Sequence, residues 1–458
     1  MMETSETKFV KQYEPGIQDR VELVNGRILD VVNGRNFAAG TSVVLQDGKI
    51  EAMPDLPGES QAPVDFTIDL QGKTVVPSLY NTHVHLLMAG TISMTAGLSD
   101  MRRSKKFQEQ QIAKDLTECL AHGITHVRDA WRPDLRETQA LKDRISKGEI
   151  PGPRILQAVA VGLPGSYLQE KASLMSKLTP MPNVDPTKDY AGAVAFPVNA
   201  NEQQVRDAVD RAIDESGAEV IKIGEQLTSF NTGKPIPIMT IEQLSAVADQ
   251  ARRRGVQSTM HHMTVESFRR GVKAGVSSLA HGPMDALLTR EDVEAFKASG
   301  CLNEPTISAF YALFSWKLAK ALSNGHPELN SLTSFRDKTY TFSDIADEYY
   351  LPELRTNVMN SYKRSVSGKT KMMGIINMSG MLAWDPKVAT AFENFGLLYE
   401  QGVLIATGND TQTPCTSAMV DLELRMMDHI LKGKPEGKQL GDAEAVMIAT
   451  MNLSLIHI

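Results

Sequence analysis

The chain has 458 residues, 42% hydrophobic and 22% charged, with a formal net charge of −7. That balance is ordinary for a globular protein and weighs against nucleic acid or an anionic membrane as a partner. Cys119, Cys301 and Cys415 are odd in number and far apart, so they offer neither a disulfide framework nor a cysteine-based zinc knuckle. No run approaches the roughly 18 apolar residues of a membrane span, and the first 16 residues contain no signal-peptide core. A cytoplasmic location is the expectation.

Residues 1–19 are polar and read as a flexible tail. Residues 20–76 read as short strands broken by Asn25-Gly26, Asn33-Gly34, Asp47-Gly48 and Gln71-Gly72. Such pairs between apolar runs signal hairpins, so this stretch is expected to be a small β-sandwich. From residue 77 onward the pattern alternates. A run before His83 is followed by 123–130, 153–161, 218–224, 255–262, 275–282, 301–308 and 402–410, each rich in β-formers. Between them lie helical stripes, such as Val205, Val209, Ala212 and Ile213, or Ile241, Leu244, Val247, Ala248 and Ala251. Eight strands, most followed by a helix, predict an α/β fold, a (β/α)8 TIM barrel over 77–452. A doubly wound open sheet is the alternative. Insertions near 162–200 and 309–386 are too long for ordinary connections and follow strands, so they are expected as lids on the catalytic face. The second carries Phe310, Tyr311, Phe314, Trp316, Tyr349 and Tyr350, which suggest a partly apolar ligand.

Barrel chemistry sits at the carboxyl ends of the strands. With 10 histidines in the chain, the pair His83-x-His85 arises by chance in roughly one such sequence in five. Other strand ends make it more than chance. The fourth strand holds Lys222, the fifth ends in His261 and His262, the sixth in His281 and the eighth in Asp410. Residues i and i+2 of a strand share a face, so His83 and His85 can both reach one metal, and at most one of His261 and His262 faces the site. An unpaired lysine in an apolar strand is costly and cannot bind a cation. A neutral Lys222 amine that has taken up carbon dioxide becomes an anion able to bridge two metals. Taken singly, each histidine is equally a hydrogen-bonding residue and Lys222 a salt-bridged one. Asp129 reads as structural, His122 and His126 as packing residues, and Asp421 and Glu423 as helix-face charges.

These residues resemble the amidohydrolase superfamily over about residues 20–452. The segment 72–86, GKTVVPSLYNTHVHL, is similar to its first-strand entry. GITHVRDA, GPRIL, VIKI, the segment from His261 to His281 and GVLIATGND are similar to its later strands. The nearest branch is imidazolonepropionase-like or Xaa-Pro dipeptidase-like. The resemblance implies a zinc enzyme with two ions. His83, His85 and Asp410 would hold the more buried ion, His261 and His281 the second, and carboxylated Lys222 and a hydroxide would bridge them. Asp410 would be the general acid/base in hydrolysis of an amide, lactam or dipeptide C–N bond. The implied partner is a small-molecule substrate and the implied assembly a homo-oligomer. A mononuclear deaminase, or a barrel that has lost catalysis, is the alternative.

Ser78, Asn81 and Asn409 depart from the family's usual Gly, Asp and Thr, and VGLPGSYL replaces a Gly-Gly-His-Gly loop. The β-sandwich is expected to be incomplete at the carboxyl end. The last six residues, 453–458, read as a non-native tail resembling a translated sequencing adapter.

Overall fold

A computed structural model describes residues 19–37, 41–53, 62–86, 98–169, 192–229, 234–312, 348–367, 388–411, 415–433 and 440–450. The expected amino-terminal tail up to residue 18, most of both lid insertions and the carboxyl tail lie outside the described residues. The chain divides into two compact units, Met1–Pro77 with Gly441–Met447, and Ser78–Leu440 with Ile448–Ile458. Among the described residues no helix is long and apolar enough to cross a membrane.

The first unit contains β1 (Val21–Val24), β2 (Arg27–Asp30), β3 (Arg35–Asn36), β4 (Val43–Gln46), β5 (Lys49–Ala52), β6 (Phe66–Asp69) and β7 (Thr74–Val75). They form one sheet ordered β5-β4-β1-β6 and another ordered β3-β2-β7. Asp47-Gly48, with φ of 50° and 71°, closes the two-residue hairpin between β4 and β5. Asn25-Gly26 and Gln71-Gly72 are not hairpins. Each carries its chain from one sheet to the other, β1 and β2 running parallel to β6 and β7. The two crossings are tied together, because Gly72 N–H donates to the Asn25 carbonyl at 2.7 Å.

The second unit is the barrel. β8 (Leu79–Val84), β9 (Ile124–Asp129), β10 (Arg154–Gly162), β12 (Val220–Gly224), β13 (Gln257–His261), β14 (Ser278–Ala280) and β15 (Leu302–Glu304) lie side by side, all parallel. A short β11 (Ala193–Ala195) adds to β10 outside this series. The segment 404–410 closes the ring as the eighth strand. Asn303 N–H donates to the Leu404 carbonyl on one side, and Thr82 N–H donates to the Thr407 carbonyl on the other, both at 2.9 Å.

The helical stripes do what their period requires. In helix Glu202–Ser216 the buried side chains are Val205, Ala208, Val209 and Ala212, and Asn201 with Gln204 caps its start reciprocally. Helix Ile241–Arg253 is capped in the same way by Thr240 and Gln243. Val209, Leu244, Val247, Phe268 and Phe296 form one apolar cluster between strands and helices, and Leu116, Ile124, Phe392, Met426 and Ile430 belong to another. Each such side chain contributes about 1.5–3 kcal/mol by leaving water. This packed shell makes the strand ends a rigid platform.

Candidate metal centre

His83 lies near the end of β8 and His85 just past it, two residues apart and therefore aimed to one side. Both Nε2 atoms reach the Asp410 carboxylate, at 3.5 Å from His83 and 3.1 Å from His85. The three side chains place one ligand atom each within 4.8 Å of one another. His83 is fully buried, whereas the His85 side chain keeps 19% of its surface. The centre therefore has a closed floor and a side open toward solvent. Gly408 makes the approach possible: a Cβ there would lie 2.7 Å from the His83 Cβ.

The turn after the eighth strand is held against strain. Asp410 and Thr411 adopt φ of 52° and 41°, and His281 and Thr306 adopt 77° and 49°. Left-handed backbone at non-glycine residues costs of order 1 kcal/mol or more each and persists where the surroundings enforce it. Here the Thr411 hydroxyl accepts from the His85 N–H at 2.7 Å and donates to the His85 carbonyl at 3.0 Å.

His281, His261 and Lys222 adjoin this group. Ring centroids run in a row from His85 to His83 at 5.4 Å, His83 to His281 at 5.1 Å and His281 to His261 at 4.8 Å. Lys222 Nζ stands 3.4 Å from His83 Nε2. His281 Nδ1 is engaged by the Thr306 hydroxyl at 2.7 Å, which leaves Nε2 as its other possible ligand atom. His261 Nε2 faces the Gln226 amide oxygen at 3.1 Å, and Tyr167 stacks on its ring at 4.3 Å. His262 turns away and packs on Phe268 at 5.7 Å, as strand alternation requires.

Burial holds His83, His261 and His281 well below the ordinary imidazole range, and the neighbouring Lys222 charge pushes the same way. The neutral ring is the form that binds a metal. Burial also brings Lys222 down from 10.5 to about 8, against the opposing pull of Glu304 and Asp410. A nitrogen-rich cluster of neutral imidazoles with one carboxylate fits a divalent ion of borderline softness.

Two charged residues beneath the centre escaped the sequence reading. Arg128 and Glu304 are both buried and ion-paired to each other. Glu304 Oε2 lies 3.4 Å from His83 Nδ1, and Arg128 Nη2 also donates to the Thr259 hydroxyl at 3.3 Å. The available signal was a charged residue near the carboxyl end of strands two and seven, where a barrel gathers its polar groups.

Some expectations are corrected. Glu423 is not a helix-face charge. It is buried and accepts from the Ile307 and Ser308 N–H groups at 2.7 Å each and from the Ser308 hydroxyl at 2.5 Å. Asp421, in contrast, is an exposed partner of Arg425 at 3.0 Å. Tyr349 and Tyr350 belong to the apolar core rather than to a lid, and Phe310 presents its edge to His281 at 5.3 Å. Phe314 and Trp316 lie outside the described residues. Asp129 accepts from the Leu86 N–H and the Thr138 hydroxyl, a structural role, and His126 stacks on Tyr80.

The model of the amidohydrolase family matches residues 74–452. Curated proteins give no match. Among solved structures, a prolidase complexed with N-methylphosphonate-L-proline is 20% identical with a TM-score of 0.60, covering 96% of this chain and 87% of its own. Molinate hydrolase is 18% identical at a TM-score of 0.60, covering 96% and 85%. Ochratoxinase of A. niger is 16% identical at 0.58, covering 96% and 84%. At these identities the likeness is one of fold.

Proposed function

The chain belongs to the amidohydrolase family, and from that premise we propose that it hydrolyses a C–N bond of an amide, lactam or dipeptide in a metal-dependent reaction. The observation that carries this reading is the convergence of His83, His85 and Asp410 at the mouth of the barrel, with His281, His261 and Lys222 alongside. His83, His85 and Asp410 would hold one zinc ion and His261 and His281 a second. Lys222, carboxylated at Nζ, would lie between them. Bound zinc supplies Lewis-acid polarisation of the carbonyl and a water of lowered pKa.

The chain's own residues provide the rest. Neutral, buried imidazoles keep their lone pairs for ligation. Asp410 contacts both first-strand histidines, and its buried side chain keeps 12% of its surface. In this reading it would take a proton from water and return it to the leaving nitrogen as general base and then acid. A lysine near 8 has a substantial neutral fraction at neutral to mildly alkaline pH, which carbamate formation requires. The names of similar folds, prolidases and an Xaa-Pro dipeptidase among them, favour a small substrate with an amide linked to an amino or imino acid. The apolar edge of Phe310 and the ring of Tyr167 suit a partly apolar one.

Metal analysis with a hydrolysis screen of N-acyl amino acids, Xaa-Pro dipeptides and lactams tests the reading. About two zinc ions per chain are expected in the active enzyme, with both metal content and turnover falling sharply in Lys222→Ala. Fewer than about one ion per chain, or a Lys222→Ala enzyme with unchanged turnover, refutes it.

A further inference from the structure

The first and eighth strands are joined by two buried carboxamides. Asn81 Nδ2 donates to Asn409 Oδ1 at 3.1 Å and to the Ser417 carbonyl at 2.9 Å. Asn409 Nδ2 donates to the Thr416 carbonyl at 2.5 Å. The two side-chain oxygens face backbone amides of the centre itself: Asn81 Oδ1 accepts from the His83 N–H at 3.3 Å, and Asn409 Oδ1 from the Thr411 N–H at 3.4 Å. Both side chains are buried. Asp115, from the neighbouring helix, fixes the far end by accepting the Ser417 N–H at 3.2 Å.

We propose that Asn81 and Asn409 are positioning residues that set the spacing of His83 against Asp410 and His85, and so the affinity of the centre for a divalent ion. The inference rests on the metal reading above. Position 81 must donate twice and accept once. A carboxylate only accepts, so it would turn an oxygen toward the Asn409 oxygen and the Ser417 carbonyl at a buried position. An apolar side chain would leave all these partners unpaired. The carboxamide satisfies each, and through Thr411, whose hydroxyl bonds both backbone groups of His85, the pair reaches the third ligand. The Asn81 amide is thus a requirement of this chain's own eighth strand.

Two measurements on the full chain test the clamp: zinc affinity, by competition with a chromophoric chelator, and hydrogen exchange of the metal-free protein. The variants are Asn81→Asp, Asn81→Ala, Asn409→Ala and the double alanine. Each single change is expected to weaken zinc about 10–100-fold, the usual effect of losing support behind a ligand, with the double variant no worse than the weaker single. In the metal-free protein either alanine is expected to raise exchange in both 79–86 and 404–411. Affinities within about twofold of the parent in folded variants, effects that multiply in the double, or exchange confined to the mutated strand overturn the proposal. Asn409→Ala probes the same contact should position 81 tolerate no change. If the parent binds no zinc, the metal reading falls while exchange still decides the clamp: transmission between strands keeps it, confinement removes it.

Discussion

Replacing Gly408 with alanine puts the link between backbone packing and the metal centre to a direct test. The new methyl would meet the His83 Cβ at 2.7 Å, the His83 nitrogen at 3.1 Å and the Thr82 hydroxyl at 3.2 Å. Ordinary carbon–carbon contact begins near 3.5 Å, so the strands must part by about 1 Å or His83 must move by that much. None of the three is the far end of a long flexible side chain: one is backbone, one is the first side-chain carbon of fully buried His83, and one is the hydroxyl of buried Thr82. Overpacking of this kind costs about 1–3 kcal/mol of stability. A misplacement near 1 Å at a reacting centre costs about a hundredfold in rate. The expectation for Gly408→Ala is therefore a folded protein with kcat/KM lowered about a hundredfold and zinc bound more weakly. Thermal melts of the metal-free protein, chelator competition and kcat/KM on one substrate give the three readings. A variant within about threefold of the parent in both rate and affinity would show that the centre does not depend on the close approach of strand eight.

Glu304→Leu, which removes the carboxylate facing His83 Nδ1, is expected to lower stability by about 3–5 kcal/mol because Arg128 is left charged, buried and unpaired. Adding Arg128→Met should restore the thermal midpoint but not zinc affinity; recovery of both would show that the pair serves folding alone. Glu423 titrates near 7 rather than at the ordinary 4.5, because burial outweighs its three donors. Its raised value means that the folded state binds the proton more tightly. The stabilisation is complete below about pH 4.5 and is lost as pH rises through 7, amounting to about 3 kcal/mol. The stability difference between the metal-free parent and Glu423→Gln should fall by that amount from pH 4.5 to 8, and a pH-independent difference refutes it.

The sequence by itself determined the barrel and its candidate ligands, because both depend on short-range rules. Alternation along a strand and a 3.6-residue stripe along a helix are local, and strand ends in a parallel barrel converge whatever the loops do. His83, His85, Lys222, His261, His281 and Asp410 could therefore be nominated from their places on strands. Alternation allows at most one of His261 and His262 to face the site, and the family resemblance favours His261. What only the tertiary structure decided is which polar groups meet across the barrel. Asn81 finds Asn409, and Glu304 finds both Arg128 and His83, over separations of well over a hundred residues that no local pattern encodes. The same holds for Glu423, whose helix looks amphipathic with the carboxylate on either face until its partners Ile307 and Ser308 are known. Asn25-Gly26 has the chemistry of a hairpin, yet it serves a crossing between sheets because the strands beside it are supplied by residues 66–75. Residue type sets what a site can bind, and the long-range pairing of buried donors and acceptors sets where its atoms stand.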